Sequence, residues 1–218
     1  MQHLRLMFTW MVAAFTILAG GAVAQDAMDL TYPSDALAQL ENTQTPAVSQ
    51  SAGKISANWK FIAASFKEVG DPSNDFKQVM QHNVSLLQKA AAKPDDPFSV
   101  TLVRDVEEDL QIKAEYISTA GAVGMMTVAA FSEVDIEVRT KRSDGQEVHG
   151  YFVGFSPRHL AGSDPMHKFN NPTSPSSGTL PPGRYEMTAN LNGQIVRRQE
   201  VSVGIQGQQG QPITCLVP

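Results

Sequence analysis

The chain has 218 residues, 42% of them hydrophobic and 18% charged, and a formal net charge of −5 from 17 Lys and Arg against 22 Asp and Glu. That length suits one or two domains. An acidic chain without a basic cluster is a poor partner for nucleic acid, because phosphate neutralisation drives such binding, and a single cysteine rules out an intrachain disulfide framework.

Residues 1–24 carry the three-part pattern of a secretory signal peptide: Arg5, an apolar core from Leu6 to Leu18, and the small-residue exit Gly21-Ala22-Val23-Ala24. Cleavage after Ala24 is expected, which makes Gln25-Asp26 the new start and takes the net charge to −6, since Arg5 is the one charge removed. The rival reading is an uncleaved anchor, which Gly20 and Gly21 disfavour as poor helix formers. No second long apolar run follows, so a polytopic membrane protein is excluded. No Cys follows the apolar core to take a lipid. The expected location is periplasmic or secreted.

Residues 25–53, rich in Gln, Ser, Thr and Ala with breakers at Pro33 and Pro46, read as a flexible lead-in. Within it Ser34 can cap a short helix over Asp35 to Glu41, with Leu37 and Leu40 on one side. A helical region follows over 54–120, in three stripes of 3.6-residue rhythm. Ile55, Trp59, Ile62, Phe66 and Val69 form the first, stopped by Gly70-Asp71-Pro72. Phe76, Met80, Val84, Leu87 and Ala91 form the second, capped by Ser73 or Asn74 and closed by Lys93-Pro94. Val103, Val106, Leu110, Ala114 and Ile117 form the third, entered through Asp95-Asp96-Pro97. Leu110, Ile112, Ala114 and Tyr116 also alternate as a strand does. The charged run from Arg104 to Asp109 favours helix, because a strand there puts acids on both faces. The stripes pack on one another or on a neighbouring sheet; the alternative use is a partner surface, with Trp59 and Phe66 facing another chain.

From about residue 123 the period becomes two. Val134, Ile136 and Val138 alternate with polar residues, Ser143-Asp144-Gly145 makes a turn, and Val148 to Phe155 returns, so 133–155 reads as a hairpin with Tyr151, Val153 and Phe155 on one face. Residues 156–183 read as a long proline-rich loop. Tyr185, Met187, Ala189 and Leu191 then alternate up to Asn192-Gly193, the strongest hairpin signal in the chain, and Ile195 to Val203 runs back. Pro212 to Val217 forms a last strand in which Ile213, Cys215 and Val217 share a face; Cys215 is expected to be a buried apolar residue, with an intermolecular disulfide as the alternative. The fold class is therefore α+β: short N-terminal helices, as a helical hairpin or three-helix unit, followed by an antiparallel β-sandwich over 123–218.

The run from Ser177 to Met187, Ser-Gly-Thr-Leu-Pro-Pro-Gly-Arg-Tyr-Glu-Met, and the run from Asp144 to Tyr151, Asp-Gly-Gln-Glu-Val-His-Gly-Tyr, resemble the corner and second strand of transthyretin-like and carboxypeptidase-regulatory-like β-sandwiches. The likeness covers about residues 134–218. It implies a scaffold of structural, adhesive and accessory modules with no shared catalytic residues, so no site is carried over by it.

Catalytic patterns are few. Ser51-Ala52-Gly53-Lys54 matches the Ser-x-x-Lys of penicillin-interacting enzymes but lacks the Lys-Thr-Gly strand, and no Gly-x-Ser-x-Gly elbow exists. Gly121-Ala122-Val123-Gly124 lacks the Lys-Ser/Thr of a phosphate loop. Glu107-Glu108-Asp109 reads as a solvated helix face and Asp95-Asp96 as a helix cap. Asn83-Val84-Ser85 is a glycosylation sequon inside a helix. His159, Asp164 and His167 share one loop, without the spacing of a metal site. The binding candidates are loop residues: His159, Met166, His167, Phe169 and Asn170. The reading is an exported binding or structural protein, not an enzyme, without cofactor or metal. Its partners are an envelope or extracellular protein or glycan, or another copy of itself. The alternatives are a small periplasmic enzyme or metal-binding protein using loop 156–183, and a carbohydrate-binding module for which Tyr151 or Phe169 must be exposed.

Overall fold

A computed structural model describes residues 30–160, 162, 164–173, 175–205 and 212–218; the signal-like segment 1–24 lies outside them. The architecture is α+β, with the helices first and the sheets after.

Helix α1 (Ser34–Glu41) turns Leu37 and Leu40 inward. Helix α2 (Pro46–Val69) starts with proline at its first position, where the missing N–H costs nothing, and runs without a break into the Ile55-to-Phe66 stripe. The segment expected to be a flexible lead-in is thus ordered from residue 34 to 53. Val48 and Ala52 are buried, and the hydroxyls of Thr43 and Thr45 both donate to Asp95 Oδ1, at 2.7 and 2.8 Å. Few apolar residues suffice there because helices already present supply the other half of the contact.

Helix α3 (Asn74–Ala91) is capped by Ser73, whose Oγ accepts from the Phe76 N–H at 3.3 Å. Helix α4 (Pro97–Ala122) is capped by Asp96, which accepts from the Phe98 N–H at 2.7 Å. Trp59, Ile62, Phe76, Leu87 and Leu110 form a single core among these helices, with Phe66 edge-on to Phe76 at 5.0 Å between centroids. Each such aromatic contributes roughly 1.5–3 kcal/mol by leaving water. Trp59 and Phe66 are therefore inside the fold, not on a partner surface. A fifth short helix, α5 (Val128–Ser132), lies where extended chain was expected; Phe131 seals the same core against Phe66.

Among the described residues two four-stranded sheets follow. The first has β1 (Val134–Lys141) at its centre, paired with β2 (Glu147–Val148), β5 (Ser176–Leu180) and β8 (Ile213–Leu216). The second has the order β4 (His167–Lys168), β3 (Phe152–Pro157), β6 (Gly183–Leu191), β7 (Gln194–Val203). Val138, Leu180 and Cys215 from the first sheet meet Phe155, Tyr185 and Met187 from the second in one core.

Three expectations are corrected here. The 133–155 hairpin holds for only two residue pairs, Thr140 with Val148 and Lys141 with Glu147; at Gly150 (φ 89°) the chain leaves for the second sheet, where β3 pairs β6. Residues 156–183 are not one loop, since they contain β4 and β5. The sheets are antiparallel except at one place: β8 runs parallel to β1, Val138 opposite Ile213. The Asn192-Gly193 turn is as expected, with φ of 52° and 83°, a primed turn between β6 and β7.

Candidate functional site

The β3–β6 register puts Phe152 opposite Asn190 and Gly154 opposite Thr188. Val153, Phe155, Met187 and Ala189 fill the sandwich core, so the alternation of side chains sends Phe152, Gly154, Thr188 and Asn190 to the outer face. The segment carrying Asp164 to Asn170 folds over part of that face. Pro165 touches down at Gly154, the one floor position without a side chain: a Cβ there would lie 2.4 Å from Pro165 Cγ. Between this segment, the floor and the β6–β7 turn lies an open cavity of about 670 Å³.

Its chemistry is mixed and uncharged on balance. Phe152 is 49% exposed and Ile195, at the far rim, 38%. Lys168 Nζ stands 3.4 Å from Asp164 Oδ1, so the two charges of the wall offset each other. Thr188 Oγ1 donates to the Gly154 carbonyl at 3.3 Å. The carboxamides of Asn170 and Asn190 line the cavity, and neither bonds through its side chain to another described residue. The β6–β7 pairing shifts register between Ala189 and Asn190, where Val196 of β7 is passed over, so an irregularity of the kind common beside sites lies at the edge of the groove.

The five loop candidates separate. Met166, His167, Phe169 and Asn170 come together around a second, polar cavity of about 410 Å³ bordered by Asp75, and Asn170 with Phe169 also reaches the groove. Only Asn170 among them is an exposed contact residue. Phe169 is buried against Phe155, at 5.3 Å between centroids, and under Gly178. His167 is buried beside Tyr185, with Nδ1 3.3 Å from Asp75 Oδ2 and Nε2 without a hydrogen-bond partner; burial lowers its pKa more than Asp75 raises it. Tyr151 is buried too, so the aromatics named for sugar stacking are the wrong ones. The exposed aromatic of this groove is Phe152, whose signal is its place out of phase with the buried 151-153-155 alternation.

His159 lies elsewhere, on the seam between the helices and the sandwich. Its Nε2 is 2.5 Å from Asp105 Oδ2. Asp105 also takes Arg158 Nη1 at 2.9 Å and Arg184 Nη1 at 3.0 Å, and Arg158 goes on to Glu200 at 2.7 Å; Arg184 also bonds Glu108. One turn on, Asp109 accepts from Lys113 Nζ at 2.5 Å, Asn83 Nδ2 at 2.7 Å and the Arg184 N–H at 2.9 Å. Lys113 is fully buried, and desolvation pulls its pKa down against the pull of Asp109. Gly183 (φ 152°) completes the joint, because a Cβ would sit 2.3 Å from Asp109 Oδ1. The expected solvated face is therefore a correction: Asp105, Glu107 and Asp109 are buried, since α4 is sandwiched between the other helices and β6. The signal for it is the stripe Asp105, Asp109, Lys113 at steps of four, about 100° round the helix from the apolar stripe.

Two further candidates are absorbed structurally. Ser51 Oγ and Lys54 Nζ both donate to Glu107, at 2.5 and 2.6 Å, tying α2 to α4. Burial raises the Glu107 pKa, but the Lys54 and Ser51 bonds outweigh it and the net shift is downward. Lys54 is largely exposed and paired, which suits a staple and not a base. Asn83 of the sequon is buried in its bond to Asp109. Among the described residues no cluster of three His, Cys, Asp or Glu is arranged to hold a metal; His159, Asp164 and His167 turn to Asp105, Lys168 and Asp75 respectively.

No family model, no curated protein and no solved structure gives a significant match to this chain.

Proposed function

We propose that this chain is an exported, non-catalytic binding protein whose ligand occupies the groove on the outer face of the second sheet. The observation that carries the reading is the groove itself: a cavity of about 670 Å³ with an exposed aromatic, two carboxamides that bond to no other described residue, and a wall held in place by Pro165 on Gly154. Binding sites of this kind combine apolar surface with a few convergent polar groups.

The polar groups with catalytic potential are engaged otherwise. Asp105, His159, Asp109 and Lys113 join helices to sandwich, and Ser51, Lys54 and Glu107 join α2 to α4. The signal-peptide pattern of residues 1–24 supports export, and the Pro181-Pro182-Gly183 corner leading into buried Tyr185, whose hydroxyl donates to the Pro181 carbonyl at 2.8 Å, supports a transthyretin-like module. The partners would be envelope components, with self-association measured by light scattering.

The test is an amide NMR screen of the mature chain, residues 25–218, against a mixed library of small sugars, peptides and heterocycles. Binding to this groove shifts the amides of Phe152, Gly154, Thr188 and Asn190 together. Shifts confined to the seam around Asp105 and His159 would move the site there and overturn the reading.

A further inference from the structure

Resting on the groove as the binding site, we infer that its ligand is a neutral glycan chain, with Phe152 as the stacking platform and Asn190 and Asn170 as the hydroxyl-reading groups. Three features of the groove select this chemistry.

The first is electrical. The one ion pair in the lining, Lys168 with Asp164, closes on itself at 3.4 Å, so the cavity offers no unbalanced charge to attract a phosphate, a carboxylate or a basic peptide. The second is the aromatic. Phe152 is about half exposed and pairs with no other described ring, so a face of the ring is open to a ligand. The negative face of an aromatic ring attracts the polarised C–H groups along one side of a sugar. The third is the register. Phe152 and Asn190 are direct cross-strand neighbours, which puts a stacking surface and a carboxamide within about 5 Å of each other at Cβ. A carboxamide both donates and accepts, which matches a pair of vicinal hydroxyls. Asn170 supplies the same chemistry from the Asp164–Asn170 segment that also lines the cavity, so a second carboxamide is available to a sugar lying on Phe152. The cavity is open to solvent and does not enclose its contents, which suits a few units of a longer chain over a fully enclosed single sugar.

The experiment is isothermal titration calorimetry of the mature chain with cellohexaose, chitohexaose, maltohexaose and xylohexaose, repeated with Phe152→Ala and Asn190→Ala, whose melting temperatures are measured alongside. At least one of these oligosaccharides binds the native protein, Phe152→Ala weakens it about tenfold or more, and Asn190→Ala weakens it several-fold. Binding that survives Phe152→Ala unchanged, with the variant's fold intact, overturns the inference. So does the failure of all four sugars. In that event the NMR screen separates the two layers: groove amides that shift with a peptide or heterocycle keep the binding site and remove the glycan, and groove amides that shift with nothing remove both.

Discussion

Pro165 rests on Gly154, with its Cγ 2.4 Å from where a Cβ would stand and its own Cβ at 2.6 Å. The contact is ring against backbone, and neither side can swing away as a long side chain does. Gly154→Ala therefore pushes the Asp164–Asn170 segment off the sheet. The expected cost is about 1–3 kcal/mol, the range for overpacking a tight site. Thermal melting will show it, together with faster tryptic cleavage after Lys168 than in the native protein.

Asp109 of α4 takes three donors, Lys113 of the same helix, Asn83 of α3 and the Arg184 N–H of the sandwich, and Lys113 beside it has no exposure at all. Asp109→Ala leaves that ammonium buried and uncompensated, and should lower stability by about 3–5 kcal/mol. Pairing it with Lys113→Met removes the stranded charge. The double variant should recover in urea unfolding the part of the loss due to the stranded ammonium, and not the part due to Asn83 Nδ2 and the Arg184 N–H, which still lack their acceptor.

Acid should loosen the same joint. Burial depresses the pKa of His82, whose Nε2 meets the Arg158 carbonyl at 2.6 Å, and of His167 beside Asp75. The unfolded chain then takes up protons that the native chain refuses, so stability is level above the ordinary imidazole value of about 6.5 and falls as pH drops below it. Urea midpoints at pH 7.5 and pH 5 should differ in that direction. The window is separate from that of Glu107, whose depressed carboxylate pKa acts only below about pH 4.3. His82→Gln with His167→Gln should flatten the difference.

Cys215 is fully buried in the sandwich core, and burial pushes its thiol up to about 11. At pH 8 only about one molecule in a thousand carries the thiolate. An aromatic disulfide reagent should find no reactive thiol in the native protein and one equivalent after denaturation. Non-reducing gels should show no linked dimer, which removes the intermolecular disulfide as a route to oligomers.

What could be read from residues alone followed how local each signal was. Ser73 and Asp96 as caps, the stripes through Trp59 and Phe76, and the Asn192-Gly193 turn depend on neighbours a few positions away, and the structure has them. The parallel seat of β8 on β1 and the switch of sheet at Gly150 depend on partners tens of residues distant, which period and propensity do not encode. The same holds for charge. Glu107-Glu108-Asp109 looks like a wet surface until Lys54 reaches Glu107 and the Arg184 N–H reaches Asp109 from other elements; only Glu108 stays half-exposed. The candidate groove follows the same rule: the stretch 156–183 supplies Asp164, Pro165, Lys168, Phe169 and Asn170 to its lining, whereas Phe152 and Asn190 belong to strands and become neighbours only through the β3–β6 pairing.

The parallel pairing of β8 with β1 bears on how the molecule assembles. Val138 to Lys141 receive their β8 partners from residues 213–216, more than seventy positions downstream. Contacts that far apart are slow to find. A polypeptide emerging from its amino end can gather its helices early from near neighbours, whereas the first sheet keeps an open seam until the final strand arrives. Shortening the chain at Gly204 would leave that seam permanently bare, a ready template for a stray strand from another molecule.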